Sequence, residues 1–259
     1  MNILNKKFVD KLDFIIVGTQ KGGTTALDNY LRDVKIMALG KKKELHFFDT
    51  DKYFINDEIV NVQKLHKLII NNKNIEIRGE CTPIYMYWKD AIKRIYKYNK
   101  NIKIIAILRN PVYRAFSHWN MEFDRNNEKL LFFEALKAEE QRLSKSQPIN
   151  YRLYSYIDRG FYYEQINNIY HYFDKKNVLI IKYENFKSNQ ENVLNSILNF
   201  LDIEFRFHNL KVISSHKRKY KHKLTFEEWN YAYSKLSENI NKVEQLLNWD
   251  CSDWKEYNG

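Results

Sequence analysis

Three of the seven glycines in this 259-residue chain fall within six positions, in the run Phe14-Ile-Ile-Val-Gly18-Thr-Gln-Lys21-Gly22-Gly23-Thr24-Thr25. An aromatic and three β-branched residues signal a strand, the glycines interrupt it, and apolar residues resume at helical spacing from Thr24 to Arg32. A strand that leaves as a helix through such a turn is a unit of α/β architecture. Glycines let backbone N–H groups turn inward, a helix start adds its positive dipole end, and Lys21 adds a full charge. The segment Lys21, Gly22, Gly23, Thr24 and Thr25 is therefore suited to cradle a phosphate or a sulfate. The nucleotide-hydrolase loop has glycine, four residues, glycine, lysine and then Ser or Thr. Gly18 and Gly23 keep that spacing, but Thr24 stands at the lysine position and the lysine is Lys21, inside the loop. No strand ends in the aspartate that would help to hold magnesium, so no metal is expected.

The alternation continues along the chain. Phe14 to Val17, Ile75 to Arg78, Ile102 to Leu108 and Val178 to Tyr183 are too apolar for one-sided surface strands, which predicts a parallel sheet covered on both faces. Thr24 to Arg32, Trp88 to Tyr98, Pro111 to Phe123, Leu130 to Leu143, Phe161 to Phe173 and Gln190 to Leu201 read as helices. Phe226 to Leu236 and Glu238 to Leu247 read as two more that close the chain. Pro111 suits a first helical position, where its missing N–H has no partner to lose. The predicted fold is α/β and three-layered, a central mostly parallel sheet with a phosphate-binding loop and flanking helices, in one domain over 1–259. With 44% hydrophobic residues and only 7 Gly and 3 Pro, disordered and low-complexity proteins are excluded. Cys81 and Cys251 are too few for a disulfide framework or a cysteine-rich zinc site, which fits a reducing compartment. No stretch approaches the roughly 20 apolar residues of a membrane span, and a cytoplasmic protein is expected.

Three further segments carry candidate chemistry. The most apolar strand runs into Arg109-Asn-Pro-Val-Tyr-Arg114-Ala-Phe-Ser117. Ligands of a parallel sheet bind at the carboxyl ends of its strands, which places Arg109 on the edge that carries the glycine loop. Arg109 and Ser117 fit a shared anion, and equally a carboxylate pair and a packed hydroxyl. In Lys41-Lys-Lys43-Glu44-Leu-His46, Glu44 and His46 are two apart and would face the same way on an extended segment. A solvated charge cluster is the plainer reading of that run alone, and it lacks a third ligand at zinc spacing. Between Ile213 and Leu224, Lys217, Arg218, Lys219, Lys221 and Lys223 crowd a loop with His216, Tyr220 and His222 interleaved.

Taken in order, Gly18-Thr-Gln-Lys-Gly-Gly-Thr-Thr25, Lys43-Glu-Leu-His-Phe-Phe-Asp49, Gly79-Glu-Cys-Thr-Pro-Ile-Tyr85 and Arg109-Asn-Pro-Val-Tyr-Arg-Ala-Phe-Ser117 resemble the sulfotransferases that use 3′-phosphoadenosine-5′-phosphosulfate. The likeness is nearest the heparan sulfate glucosaminyl sulfotransferase branch. It extends through Arg159-Gly-Phe-Tyr162, Val178 to Glu184 and Leu247 to Trp254. The resemblance implies that fold and that donor, with Lys21 and the backbone of Gly22, Gly23, Thr24 and Thr25 on the 5′-phosphosulfate. It implies Arg109 and Ser117 on the 3′-phosphate, Glu44 as general base and His46 near the transferring group. The basic segment with Arg218, Lys219 and Tyr220 resembles the loop that folds over the donor. Two departures stand out: His216-Lys217-Arg218 replaces the usual Lys-Gly-Arg, and Cys81 occupies the place of a lysine that often contacts the acceptor. The membrane anchor of the animal Golgi enzymes has no counterpart, which implies a bacterial cytoplasmic protein.

A formal charge of +11 fits a polyanionic ligand without choosing one. The expected function is transfer of a sulfuryl group to a hydroxyl or amine of a glycan or small molecule, with no nucleic acid and no stable membrane insertion. A small-molecule kinase using ATP and magnesium is the alternative enzyme. A nucleic-acid-binding protein could use the basic loop and Tyr220, but no RNA-binding sheet motif or helix-turn-helix supports it.

Overall fold

Strand β1 (Phe14–Gly18) is buried at every residue, as its unbroken apolar run requires. In the computed structural model, which describes residues 11–70, 74–145, 147–208, 210 and 220–259, β1 is the middle strand of a five-stranded sheet. Helix α1 (Thr24–Arg32) follows the glycine turn, then β2 (Met37–Ala38), a hairpin of β3 (Phe54–Ile55) and β4 (Glu58–Ile59), the short α2 (Val62–His66) and β5 (Ile77–Cys81). After α3 (Ala91–Tyr98) come β6 (Lys103–Leu108), α4 (Pro111–Asp124), α5 (Phe132–Ser144), α6 (Pro148–Leu153) and α7 (Tyr162–Tyr172). The chain ends with β7 (Val178–Lys182), α8 (Tyr183–Ser188), α9 (Gln190–Phe200) and α10 (Phe226–Leu247). The main sheet has the order β2-β5-β1-β6-β7, with β1 parallel to both neighbours and β2 parallel to β5. The α/β class expected from the alternating pattern is the one found.

The described residues fall into two compact units. The first holds those of 11–19, 23–107 and 168–210. There Phe14 and Ile16 of β1 and Ile105 and Ile107 of β6 pack into one buried cluster with Leu27 and Leu31 of α1 and with Leu194, Ile197 and Leu198 of α9. Ile15, Val17, Ile104 and Ala106 are just as buried and, by the two-residue period of strands, face the other way. The sheet is thus covered on both faces.

The second unit holds the described residues of 20–22, 108–167 and 220–259. Its helix α4 starts as its sequence directs: Pro111 takes the first turn and the Asn110 side chain accepts from Val112 N and Tyr113 N. Trp119, Phe132, Tyr156, Tyr162 and Trp254 are fully buried in it, and so are two guanidinium side chains, Arg114 and Arg159.

Several expectations are corrected. Residues Phe226 to Leu247 form one helix of 22 residues, with no break at Ser237. A capping box at Thr225 and Glu228 starts it, and a buried stripe of Leu236, Asn239, Ile240 and Val243 carries the packing across the serine. The second apolar run is strand from Ile77 to Cys81, later than Ile75 to Arg78. Gly79 does not end it: a Cβ there would overlap the Phe14 ring, so the glycine makes room for the neighbouring strand. The short β2, the β3–β4 hairpin, α2, α6 and α8 carry too little periodicity to be read from sequence. Arg218, Lys219 and most of the expected donor-covering loop lie outside the described residues.

Candidate active site

In the first unit, β1 ends at Gly18 beside Met86, whose sulfur would stand 2.7 Å from any Cβ at that position. Thr19 N then donates to Ile107 O at 2.9 Å, which ties the start of the loop to the neighbouring strand. Gly23, at φ 99°, is the N-cap of α1; a side chain there would be strained and would meet the Tyr183 ring at 2.8 Å. No side chain caps α1 and no acidic residue occupies its first turn, so the helix start presents its positive end uncompensated. That arrangement fits an anion.

The Glu44 segment is not the extended stretch expected. Glu44 and His46 both have left-handed backbones, at φ 61° and 53°, and the turn still brings their side chains together, with His46 Nε2 3.6 Å from Glu44 Oε2. Lys41 and Lys42 are exposed, but Leu45 is buried and Glu44 and His46 are only part exposed, with 34% and 41% of their side chains accessible. The end of β5 and the residues after it hold the turn. Glu44 N donates to Cys81 O at 3.0 Å, Leu45 N to Glu80 Oε1 at 3.1 Å and His46 N to Thr82 Oγ1 at 3.4 Å. The Tyr85 hydroxyl accepts from Phe47 N at 2.9 Å and from Phe48 N at 3.3 Å. Two of the four sequence motifs are therefore halves of one structure.

The charges in this turn are mutually set. His46 Nδ1 lies 2.9 Å from Oδ2 of buried Asp49, and the hydrogen bonds to Asp49 and Glu44 push the ring up to about 9. It is charged at neutral pH, with both nitrogens as donors. Burial works to raise the Glu44 carboxyl, but hydrogen bonds and charge from His46 and Lys43 prevail and bring it down to about 2. Burial pushes Glu80 the other way, up to about 8. Cys81 is buried with its thiol held well above the ordinary range, mainly by burial, so it is a packed, protonated side chain.

The second unit carries the apex of the glycine loop. Lys21 has a left-handed backbone at φ 69°, and its carbonyl accepts from Arg109 Nη1 at 3.3 Å. Tyr162 OH in turn donates to Arg109 O at 2.8 Å. Buried Arg159 donates to Gln20 Oε1 and, from Nη2, to Tyr151 O at 2.7 Å and Arg152 O at 3.3 Å. Ser117 is 8% exposed on α4. His118, one residue on, is held well below its ordinary value, first by burial and then by the charges of Arg159, Arg114 and Lys21. Burial is the larger cause, and the three cations add to it. Tyr220 is stacked on Phe116, with ring centroids 5.1 Å apart, and Lys221 N donates to Asn120 Oδ1, so this end of the basic segment is anchored on α4.

A family model described as a sulfotransferase domain matches residues 11–257. The chain belongs to the sulfotransferase family. A sulfotransferase from Alicyclobacillus acidocaldarius superposes with a TM-score of 0.79 at 25% identity, over 95% of this chain and 99% of that one. Membrane-associated sulfotransferase kil1 of Dictyostelium discoideum is 34% identical over 117 residues, 44% of this chain and 24% of that protein. Heparan sulfate glucosamine 3-O-sulfotransferase 6 of Mus musculus is 29% identical over 193 residues, 73% of this chain and 52% of that protein. Heparan sulfate glucosamine 3-O-sulfotransferase 5 of the same species is 31% identical over 125 residues, 47% of this chain and 35% of that protein. The chain thus spans about a quarter to a half of the curated relatives it matches.

Within this chain, the residues that sequence reasoning does not select are Asp49, Glu80, Thr82, Tyr85, Gln20 and Arg159. Each lies in a motif already singled out, but its role depends on partners far along the chain. Among the described residues no helix is long and apolar enough to cross a membrane.

Proposed function

We propose that this sulfotransferase transfers a sulfuryl group from 3′-phosphoadenosine-5′-phosphosulfate to a hydroxyl or amine of a glycan or small-molecule acceptor. The observation that carries the reading is the Glu44–His46 turn, in which a carboxylate is held 3.6 Å from a charged imidazole in a chain of this family. The uncapped start of α1 after Gly23 supports anion binding by the backbone of Gly22 to Thr25, with Lys21 supplying charge to the 5′-phosphosulfate. Arg109 and Ser117 are assigned to the 3′-phosphate. Arg218, Lys219 and Tyr220 are assigned to the segment that covers the donor.

In the transfer step the acceptor oxygen or nitrogen attacks sulfur, the bond from sulfur to the bridging oxygen breaks, and adenosine 3′,5′-bisphosphate leaves. Lys21 and His46 stabilise the charge that develops on the departing oxygen. Glu44 takes the acceptor proton. A carboxyl at about 2 is a weak base at rest, so it accepts the proton as the new bond to sulfur forms and the acceptor turns acidic.

Glu44→Gln tests the assignment, because it keeps size and hydrogen bonding but cannot take a proton. Turnover of labelled donor with desulfated heparin oligosaccharides is expected to fall about 10²–10⁴-fold, while the melting shift with adenosine 3′,5′-bisphosphate is retained. Wild-type turnover in the variant would defeat the base assignment.

A further inference from the structure

The buried carboxyl of Glu80 is used by nothing in the reaction as written, yet it sits where an apolar side chain would pack at lower cost. Glu80 is fully buried in β5, opposite Ile15 of β1. By strand alternation its side chain leaves the sheet on the face opposite Gly79 and Cys81, whose side of β5 is packed against Phe14 and the α1 cluster. Its Oε1 takes the Leu45 N–H and the Thr82 hydroxyl, and its Oε2 has no hydrogen-bond partner among the described residues. Leu45 is the residue between the candidate base and the charged imidazole. A left-handed residue on each side leaves its N–H with no helix or strand neighbour to bond.

We propose that Glu80, with Thr82, is a positioning residue that fixes the Glu44–His46 turn in its reactive shape by accepting the Leu45 and His46 amides. The inference rests on the reading of Glu44 as the base, and it adds a residue that touches neither donor nor acceptor. The carboxyl acts in its neutral form: burial raises it, against the hydrogen bonds from Thr82 and Leu45 N, and the nearby charge of Asp49 raises it further against that of His46. Gln is then a close substitute, since its amide oxygen can take the same two donors. Leu has the volume but leaves the Leu45 N–H buried without an acceptor.

The test compares Glu80→Leu, Glu80→Gln and Thr82→Val, the last covering the case in which Glu80→Leu does not fold. The His46 ring, followed by NMR, is expected to titrate near 9 in the native protein, to fall toward its ordinary 6.5 in Glu80→Leu and Thr82→Val, and to stay high in Glu80→Gln. Donor turnover with desulfated heparin oligosaccharides, or donor hydrolysis by water where that acceptor is not taken, is expected to drop about 10²-fold in the same two variants, as a misplaced group does. The bisphosphate melting shift should be unchanged. In Glu44→Gln/Glu80→Leu the loss should be no greater than in Glu44→Gln alone. A native His46 titration together with native turnover in Glu80→Leu and Thr82→Val overturns the inference and leaves the Glu44 reading intact. Full turnover in Glu44→Gln with a shifted His46 in Glu80→Leu has the opposite meaning: the turn is held by Glu80, but it does not carry the base.

Discussion

The imidazole of His46 and the carboxylate of Asp49 meet at 2.9 Å, Nδ1 to Oδ2, with Asp49 fully buried and His46 still reachable by solvent. This pairing makes His46 a cation at neutral pH. A histidine raised in the folded state contributes stability that is complete below its unfolded value near 6.5 and is lost as pH rises through about 9. Asp49→Asn should therefore bring the His46 titration down toward 6.5 and reduce stability by about 1 kcal/mol at pH 7, less than a buried charged hydrogen bond because the ring is part-exposed. NMR titration and urea midpoints at pH 6 and 9 check it. An unchanged His46 titration in the variant would remove Asp49 as the cause.

Glu80 gives a second pH signature of the same sign. Its folded value of about 8 exceeds the unfolded value of 4.5, so its contribution is complete below 4.5 and disappears as pH rises through about 8. Glu139, buried and raised to about 7 against the backbone donors Ile157 N and Asp158 N, acts in the same direction. Glu44, lowered to about 2, works oppositely and loses its contribution only as pH falls below 4.5. Stability is expected to peak in mildly acidic solution and to decline toward pH 9 by a few kcal/mol, since a tenfold difference in proton affinity between folded and unfolded chains corresponds to about 1.4 kcal/mol. Glu80→Gln should flatten part of that decline. A denaturation series from pH 4 to 9 that shows equal slopes for the two proteins would count against the buried neutral acid.

Gly79→Ala should destabilise by roughly 1–3 kcal/mol or more, as overpacking does, because the new Cβ falls on the Phe14 ring. Phe14→Leu in the same chain should recover part of the loss. Differential scanning calorimetry of the single and double variants reads it directly, and additive losses would show that the two side chains do not compete.

What can be read from the sequence follows from locality. β1, β6, the glycine loop and Pro111 at the head of α4 are local signals, carried by runs of apolar residues or by backbone-specific residue types, and they appear where expected. Gly79 is local too, but its meaning depends on Phe14, 65 positions earlier on the neighbouring strand. Taken alone it suggests the end of a strand. Glu80 and Leu45 are 35 residues apart and Arg159 and Gln20 are 139 apart, so no spacing rule connects them. The two-residue spacing of Glu44 and His46 anticipates their pairing for the wrong geometric reason, since the two meet through left-handed residues and not along a strand. The two closing helices read on either side of Ser237 are one, because the buried stripe of α10 continues across it.

Arg109→Ala addresses donor recognition. Arg109 follows β6, bonds the Lys21 carbonyl through Nη1, and receives the Tyr162 hydroxyl on its own carbonyl, so its backbone is fixed independently of its side chain. The assignment to the 3′-phosphate requires that adenosine 3′,5′-bisphosphate stabilise the native protein more than AMP does, since binding to the folded state raises the melting temperature by mass action. A charged hydrogen bond contributes about 1.5–3 kcal/mol, so removing Arg109 should cost roughly 10–100-fold in bisphosphate affinity and leave AMP affinity nearly unchanged. Calorimetric titration with both ligands separates the outcomes. A larger effect on the bisphosphate alone assigns the guanidinium to the 3′ position. Equal losses for both ligands would assign it to the support of Lys21 in the loop apex, and no loss for either would take Arg109 out of the donor site.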